Sequence, residues 1–134
     1  MKIISALILS LTAITTPALA AGDVAKGEKV YKKCRACHMV GEGAKNKVGP
    51  PLNEIIGRQV GVAADYKYSK AMIAASDDGL IWDVDNLTKF LTKPKAHIKG
   101  TKMSFVGLKK PADKENLLAY LAQFSTATEE TVND

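Results

Sequence analysis

The sequence predicts an all-α domain of short helices and long loops, folded around a large apolar group that its own side chains do not supply. Three observations lead there. Apolar residues recur at spacings of three and four in several short segments, the period of one helix face. No segment alternates apolar and polar residues over the length of a strand. Aromatic residues make up only 6% of the chain, and Gly- and Pro-rich stretches separate the periodic segments, so short helices alone leave the core lacking bulk.

The chain opens with Lys2, an apolar run from Ile3 to Ile14 broken only by Ser5, Ser10 and Thr12, then Pro17 and Ala18-Leu19-Ala20. A charge, a short apolar core and a small-x-small site are the parts of a secretory signal peptide. The run is shorter than the roughly 20 apolar residues that span hydrocarbon as a helix. Cleavage after Ala20 leaves residues 21–134 as one exported domain, with a polar, frayed tail after about residue 125.

Asp23 caps a first helix presenting Val24, Gly27, Val30, Tyr31 and Cys34, with lysines and a glutamate between them. From Met39 to Gly61 the chain reads as a long loop around Pro50-Pro51, holding at most a turn of helix. Ser69 caps a helix with Met72 and Ile73 on its apolar side, ended by Asp78-Gly79. A further helix starts near Asp83 or Asp85, presents Leu87, Phe90 and Leu91, and stops before Pro94. Lys95 to Lys110 shows no period and reads as extended loop. Pro111 opens the last helix, with Asp113 and Glu115 in its first turn and Leu117, Tyr120, Leu121 and Phe124 on one face.

Charge narrows the choice of partner. Loss of Lys2 takes the 19 Lys and Arg to 18 against 14 Asp and Glu, a formal charge of +4 in place of +5. The lysines are spread along the chain and the protein is exported, which argues against nucleic acid and for an acidic protein surface.

Two cysteines in an exported chain invite a disulfide. Cys34 and Cys37 enclose only Arg35 and Ala36, so a bridge would close a tiny loop and constrain the unfolded chain little. Cys34-Arg35-Ala36-Cys37-His38 is instead the C-x-x-C-H arrangement of c-type haem attachment. Two thiols one helical turn apart can each add to a haem vinyl group, and the next residue then offers an imidazole to the iron. Zinc needs more soft ligands than one further histidine, His97, provides. A thioredoxin-like pair belongs after a strand, and here a helix precedes it.

The opposite axial position has four candidates outside the leader: Met39, Met72, Met103 and His97. Met39 adjoins His38 and cannot reach the other face. Met72 sits on an apolar helix face, where methionine ordinarily fills core. His97 lies in a lysine-rich loop and is expected to face solvent. Met103 sits in the aperiodic stretch Gly100-Thr101-Lys102-Met103-Ser104-Phe105 and is the expected ligand, with His38, of the metal.

With these residues in place, the chain from Asp23 to about Phe124 resembles a class I cytochrome c of the soluble bacterial, cytochrome c2-like branch, and is similar to mitochondrial cytochrome c. The resemblance rests on Gly27 and Tyr31, Cys34 to His38, Gly49-Pro50, Gly57-Arg58, Tyr66 and Tyr68, Trp82, Lys93-Pro94, Gly100 to Met103, and Leu117 through Leu121. It implies one haem c wrapped by short helices and long loops, with the N- and C-terminal helices crossing at Gly27 and Tyr31. It implies that the Pro50 carbonyl accepts the Nδ1 proton of His38, and that Arg58, Tyr68 and Trp82 meet the haem propionates. It also implies a periplasmic one-electron carrier between membrane redox complexes, for example from a cytochrome bc complex to a terminal oxidase or photosynthetic reaction centre. Acidic faces of those complexes would meet Lys33, Lys47, Lys95, Lys102, Lys109 and Lys110 in transient contacts made by a monomer. The competing functions are a small peroxidase-like haem enzyme, which needs an open or displaceable sixth position, and a haem-based gas-binding or sensing module, whose attachment motif lies near the C-terminus where here it sits at the start. Departures from the family pattern are Lys99 where proline often precedes Gly100, Phe90 where tyrosine is frequent, and a longer segment from Lys70 to Leu80.

Overall fold

A computed structural model of the chain describes residues 22–125; the expected leader and the tail after residue 125 lie outside them. Five helices follow in order: α1 (Val24–Tyr31), α2 (Lys70–Asp77), α3 (Val84–Thr92), α4 (Pro94–His97) and α5 (Pro111–Ala122). Among the described residues the β-structure is a single antiparallel bridge between Gln59 and Ile81, and no helix is long and apolar enough to cross a membrane.

Local chemistry starts each helix. Asp23, Ser69 and Asp83 stand in extended backbone, and their side chains accept hydrogen bonds from the amides of Lys26, Met72 and Asn86. Each satisfies an amide that has no partner inside the helix. Proline opens α4 and α5, where its fixed φ suits the first turn and its missing N–H costs nothing. That explains the one departure in the stretch from Lys95 to Lys110: Pro94 starts a four-residue turn of helix to His97 before the loop begins. One turn is too short to leave a period in the sequence. Two smaller expectations also shift. Of the α2 pair, only Met72 is buried and Ile73 is 43% exposed, and of the acidic pair in α5 only Asp113 lies in the first turn.

Helices α1 and α5 cross at a point where no side chain fits. A Cβ on Gly27 would run into the Asn116 carbonyl and the Cβ of Tyr120. Beside that contact the rings of Tyr31 and Tyr120 lie 5.3 Å apart, and Tyr120 in turn meets Phe124 at 5.2 Å. The amide of Asp23 donates to Asn116 Oδ1 at 2.7 Å, locking the start of α1 onto α5. Leu117, Leu118 and Leu121 are buried and join Leu87, Phe90 and Leu91 of α3 in the core. Each such burial contributes about 1.5–3 kcal/mol before entropy is counted.

The long segment between α1 and α2 holds its shape through side-chain clips. Asn53 donates to the carbonyl of Gly41 and accepts from its amide, both at 2.9 Å. Asn46 donates to the Ala64 carbonyl at 2.9 Å, and the Tyr66 hydroxyl donates to that of Val48 at 2.7 Å. Val40, Leu52, Ile56, Tyr68, Leu80, Met103 and Phe105 pack on the core yet remain only half-buried.

Candidate functional site

Helix α1 ends at Tyr31, but the chain keeps winding. The Cys34 amide donates to the Tyr31 carbonyl at 2.7 Å, and those of Cys37 and His38 both donate to the Cys34 carbonyl at 3.0 Å. Cys34 and His38 are thus one α-turn apart on the same side, with Cys37 beside them. Both sulfurs are half-buried and unbridged. Burial pushes the Cys34 thiol up to about 11, against the opposing pull of Lys33. The Tyr31 hydroxyl donates to the His38 carbonyl at 3.0 Å, tying the turn to the α1–α5 crossing.

The His38 ring is oriented by one strong contact. Its Nδ1 lies 2.7 Å from the Pro50 carbonyl oxygen. A carbonyl can only accept, so Nδ1 carries the hydrogen and Nε2 is left with its lone pair. Burial lowers the affinity of the ring for a second proton; the Pro50 bond raises it and Lys47 lowers it. Gly49 lies against the ring so closely that a Cβ there would overlap Cε1. The Gly49 amide donates to the Cys37 carbonyl at 2.8 Å, so the loop that orients the imidazole is fastened to the same turn that carries it.

A second group gathers around Arg58. Its guanidinium donates to the carbonyls of Asn53 at 2.8 Å and Pro51 at 3.2 Å, while its Nε is buried with no partner. Burial lowers its pKa, and Tyr68 and Glu54 raise it. The amide of Trp82 donates to the Arg58 carbonyl at 2.8 Å, which places the buried Trp82 beside it. The Tyr68 hydroxyl accepts from the Ala63 amide at 3.1 Å, and its ring stands edge-on to that of Tyr66 at 4.7 Å.

Met103 is half-buried on the core, in the loop between α4 and α5. Its amide donates to Thr101 Oγ1 at 3.3 Å, and Lys102 Nζ donates to the Lys67 carbonyl at 3.0 Å, joining this loop to the Tyr66–Tyr68 segment. His97 departs from expectation: it does not face solvent but is half-buried, with Nε2 enclosed and unpartnered. Its ring lies 6.5 Å from that of Phe90, which packs on Trp82 at 4.8 Å. Pro94, itself fully buried, opens the turn that ends at His97, a placement that a lysine-rich sequence conceals. The six lysines Lys33, Lys47, Lys95, Lys102, Lys109 and Lys110 are all exposed. Lys47 also donates to the Arg35 carbonyl at 2.7 Å, bracing the cysteine turn.

Sequence reasoning overlooked Asn46 and Asn53 as clips. Their signal is asparagine inside Gly-rich loops, a residue that commonly bonds nearby backbone, but which carbonyl each would meet was not readable.

The residues fit a covalently held haem on three observations. Two thiols and an imidazole share one turn. A set of apolar side chains from both halves of the chain stays half-buried around the core. The enclosed Nε of Arg58 has an N–H to give, which suits the propionate of a haem.

Comparison with known proteins agrees. Residues 24–125 match the family model described as Cytochrome c. The chain is 56% identical over 100 residues to cytochrome c2 of Agrobacterium tumefaciens (strain II Chrys), covering 75% of this chain and 90% of that one. It is 52% identical over 106 residues to cytochrome c2 of Afifella marina, covering 78% and 86%. The solved structure of cytochrome c2 from Rhodospirillum centenum superposes with a TM-score of 0.75 at 42% identity, over 78% of this chain and 99% of that one. The chain therefore belongs to the cytochrome c family, and it carries electrons on a single haem c joined covalently through Cys34 and Cys37.

Proposed function

We propose that the haem iron is held between His38 Nε2 and Met103 Sδ, and that the mature protein shuttles single electrons between membrane redox complexes in the periplasm after a leader is removed at Ala20. The observation that carries this reading is the bond between His38 Nδ1 and the Pro50 carbonyl. It fixes the tautomer and strengthens Nε2 as a donor, which is what an axial imidazole requires.

The bound haem supplies an iron that changes by one electron. The polypeptide sets the conditions for that change. The thioether of Met103 is a soft donor that favours the reduced state and raises the potential. Arg58, Tyr68 and Trp82 would meet the propionates, so that negative charge would enter the fold hydrogen-bonded and not bare. With His38 and Met103 both holding the iron, no position on it would remain for a substrate, as a carrier needs and a peroxidase-like or gas-binding site does not allow. Lys33, Lys47, Lys95, Lys102, Lys109 and Lys110 steer the molecule toward acidic faces of its donor and acceptor, in contacts small enough to break at turnover.

The test is Met103→Ala in the holoprotein. The potential should fall, the weak far-red band of sulfur-to-iron ligation should vanish, and cyanide should bind freely at neutral pH. A variant with unchanged potential and no new affinity for cyanide would remove Met103 as ligand. A parent protein that already binds carbon monoxide and cyanide freely would overturn the carrier reading itself.

A further inference from the structure

The geometry points to Lys114 as a positioning residue: it fastens the trailing end of the loop that bears Met103 to the end of α3, and so sets how easily the sulfur leaves the iron. This rests on the reading of Met103 as ligand.

Lys114 is unusual for its place. It lies on the buried side of α5, only 8% exposed, where its neighbours Leu117, Leu118 and Leu121 are apolar. An apolar residue would fill this position without the cost of burying an ammonium. Among the described residues the ion pairs are Lys26 with Asp23 and Lys89 with Asp85, and the oxygens that accept from the Lys114 ammonium belong to a hydroxyl and a carbonyl, both neutral. Its Nζ donates to Thr92 Oγ1 at 2.9 Å and, at the outer limit of 3.5 Å, to the Leu108 carbonyl. The Thr92 hydroxyl passes its own hydrogen to the Thr88 carbonyl at 2.7 Å. The ammonium therefore stands at the C-terminal end of α3, where partial negative charge collects on unfilled carbonyls.

The Met103 loop returns to the same place. The Leu108 amide donates to the Leu91 carbonyl at 2.7 Å. Gly107, at a φ of +102°, passes so close to α3 that a Cβ would strike the Thr92 carbonyl. Lys114 thus bridges the end of α3 and the end of the loop, five residues after Met103. The leading side of the loop has its own short ties, Thr101 to Ile98 and Met103 to Thr101. Its link through Lys102 is exposed, where hydrogen bonds and charges are weakened by water. The buried ammonium adds to the Leu108–Leu91 bond a link from this loop end to α5, which carries the lysine, and to Thr92 at the end of α3.

The experiment uses ferric holoprotein with imidazole as the probe, alongside hydrogen exchange at the Leu108 amide. Lys114→Met keeps the aliphatic stem and removes the donor. Imidazole should then bind about tenfold more tightly, the ratio that one charge-assisted hydrogen bond can supply, and Leu108 should exchange faster. Lys114→Arg should restore both toward the parent. If Lys114→Met does not fold, Thr92→Val removes the acceptor and leaves the lysine, and it should shift both readouts in the same direction. Val30→Ala loosens the core on the α1 side and is the control for general destabilisation. The inference is overturned if Lys114→Met leaves imidazole affinity and Leu108 exchange at parental values. It is equally overturned if Val30→Ala, at the same loss of overall stability, raises both as much. Met103→Ala separates the two readings: no gain in imidazole affinity there removes the ligand assignment, while Leu108 exchange still reports on the junction.

Discussion

At the scale of single side chains, Gly49 and Tyr31 shape the surroundings of His38. Gly49 has no room for a Cβ beside the imidazole, so Gly49→Ala should displace the ring from Pro50. The expected result is a stability loss of about 1–3 kcal/mol, typical of forced overpacking, together with a shifted visible spectrum; thermal unfolding and absorbance check it. Tyr31 is the second case. Burial, reinforced by Tyr120, pushes its hydroxyl up to about 12 from an ordinary value of 10.0. A proton held more tightly in the folded state stabilises fully below pH 10, and that contribution is lost as pH rises from about 10 toward about 12. Tyr31→Phe should flatten this alkaline limb in denaturant titrations. At neutral pH it should cost about 1 kcal/mol through the lost bond to the His38 carbonyl. An alkaline limb of unchanged slope would show that another group titrates there.

At the scale of elements, the contact that frames the site is the crossing of α1 and α5. Gly27 lets the backbones meet at Asn116, and the Tyr31–Tyr120 pair closes the side. Gly27→Ala should therefore destabilise in spite of the better helix propensity of alanine, which is worth under about 1 kcal/mol. The net loss should be about 1–3 kcal/mol, read as a lower midpoint in guanidinium with an unchanged visible spectrum. A gain in stability would mean that the helices can separate at no cost. The starts of α1, α2 and α3 were legible because aspartate and serine caps act within three residues. The single turn of α4 was not, because four residues hold no period. The half-burial of His97 was equally hidden, since it depends on where Phe90 and Trp82 stand.

At the scale of the whole molecule, six exposed lysines on a basic chain offer a field and not a lock. Changing Lys33, Lys47, Lys95, Lys102, Lys109 and Lys110 to glutamate one at a time should slow association with an acidic redox partner and flatten its dependence on salt. The visible spectrum should stay as it is. Stopped-flow rates across a range of ionic strength are the check, and rates that do not change in any of the six would dismiss steering by this set.

The sequence by itself determined the covalent chemistry, because attachment depends on two thiols and an imidazole within five consecutive residues. It also determined the class of fold, through helical spacing, capping residues and the resemblance from Asp23 to Phe124. Only the tertiary structure decided what acts across distance: that Asn53 clips onto the backbone of Gly41, that Arg58 holds an unanswered N–H beside Trp82, and that a lysine on α5 reaches the end of α3. These depend on contacts between residues far apart in the chain. A linear pattern records which groups are present, whereas hydrogen bonds of this kind arise only once folding has brought the groups within about 3 Å.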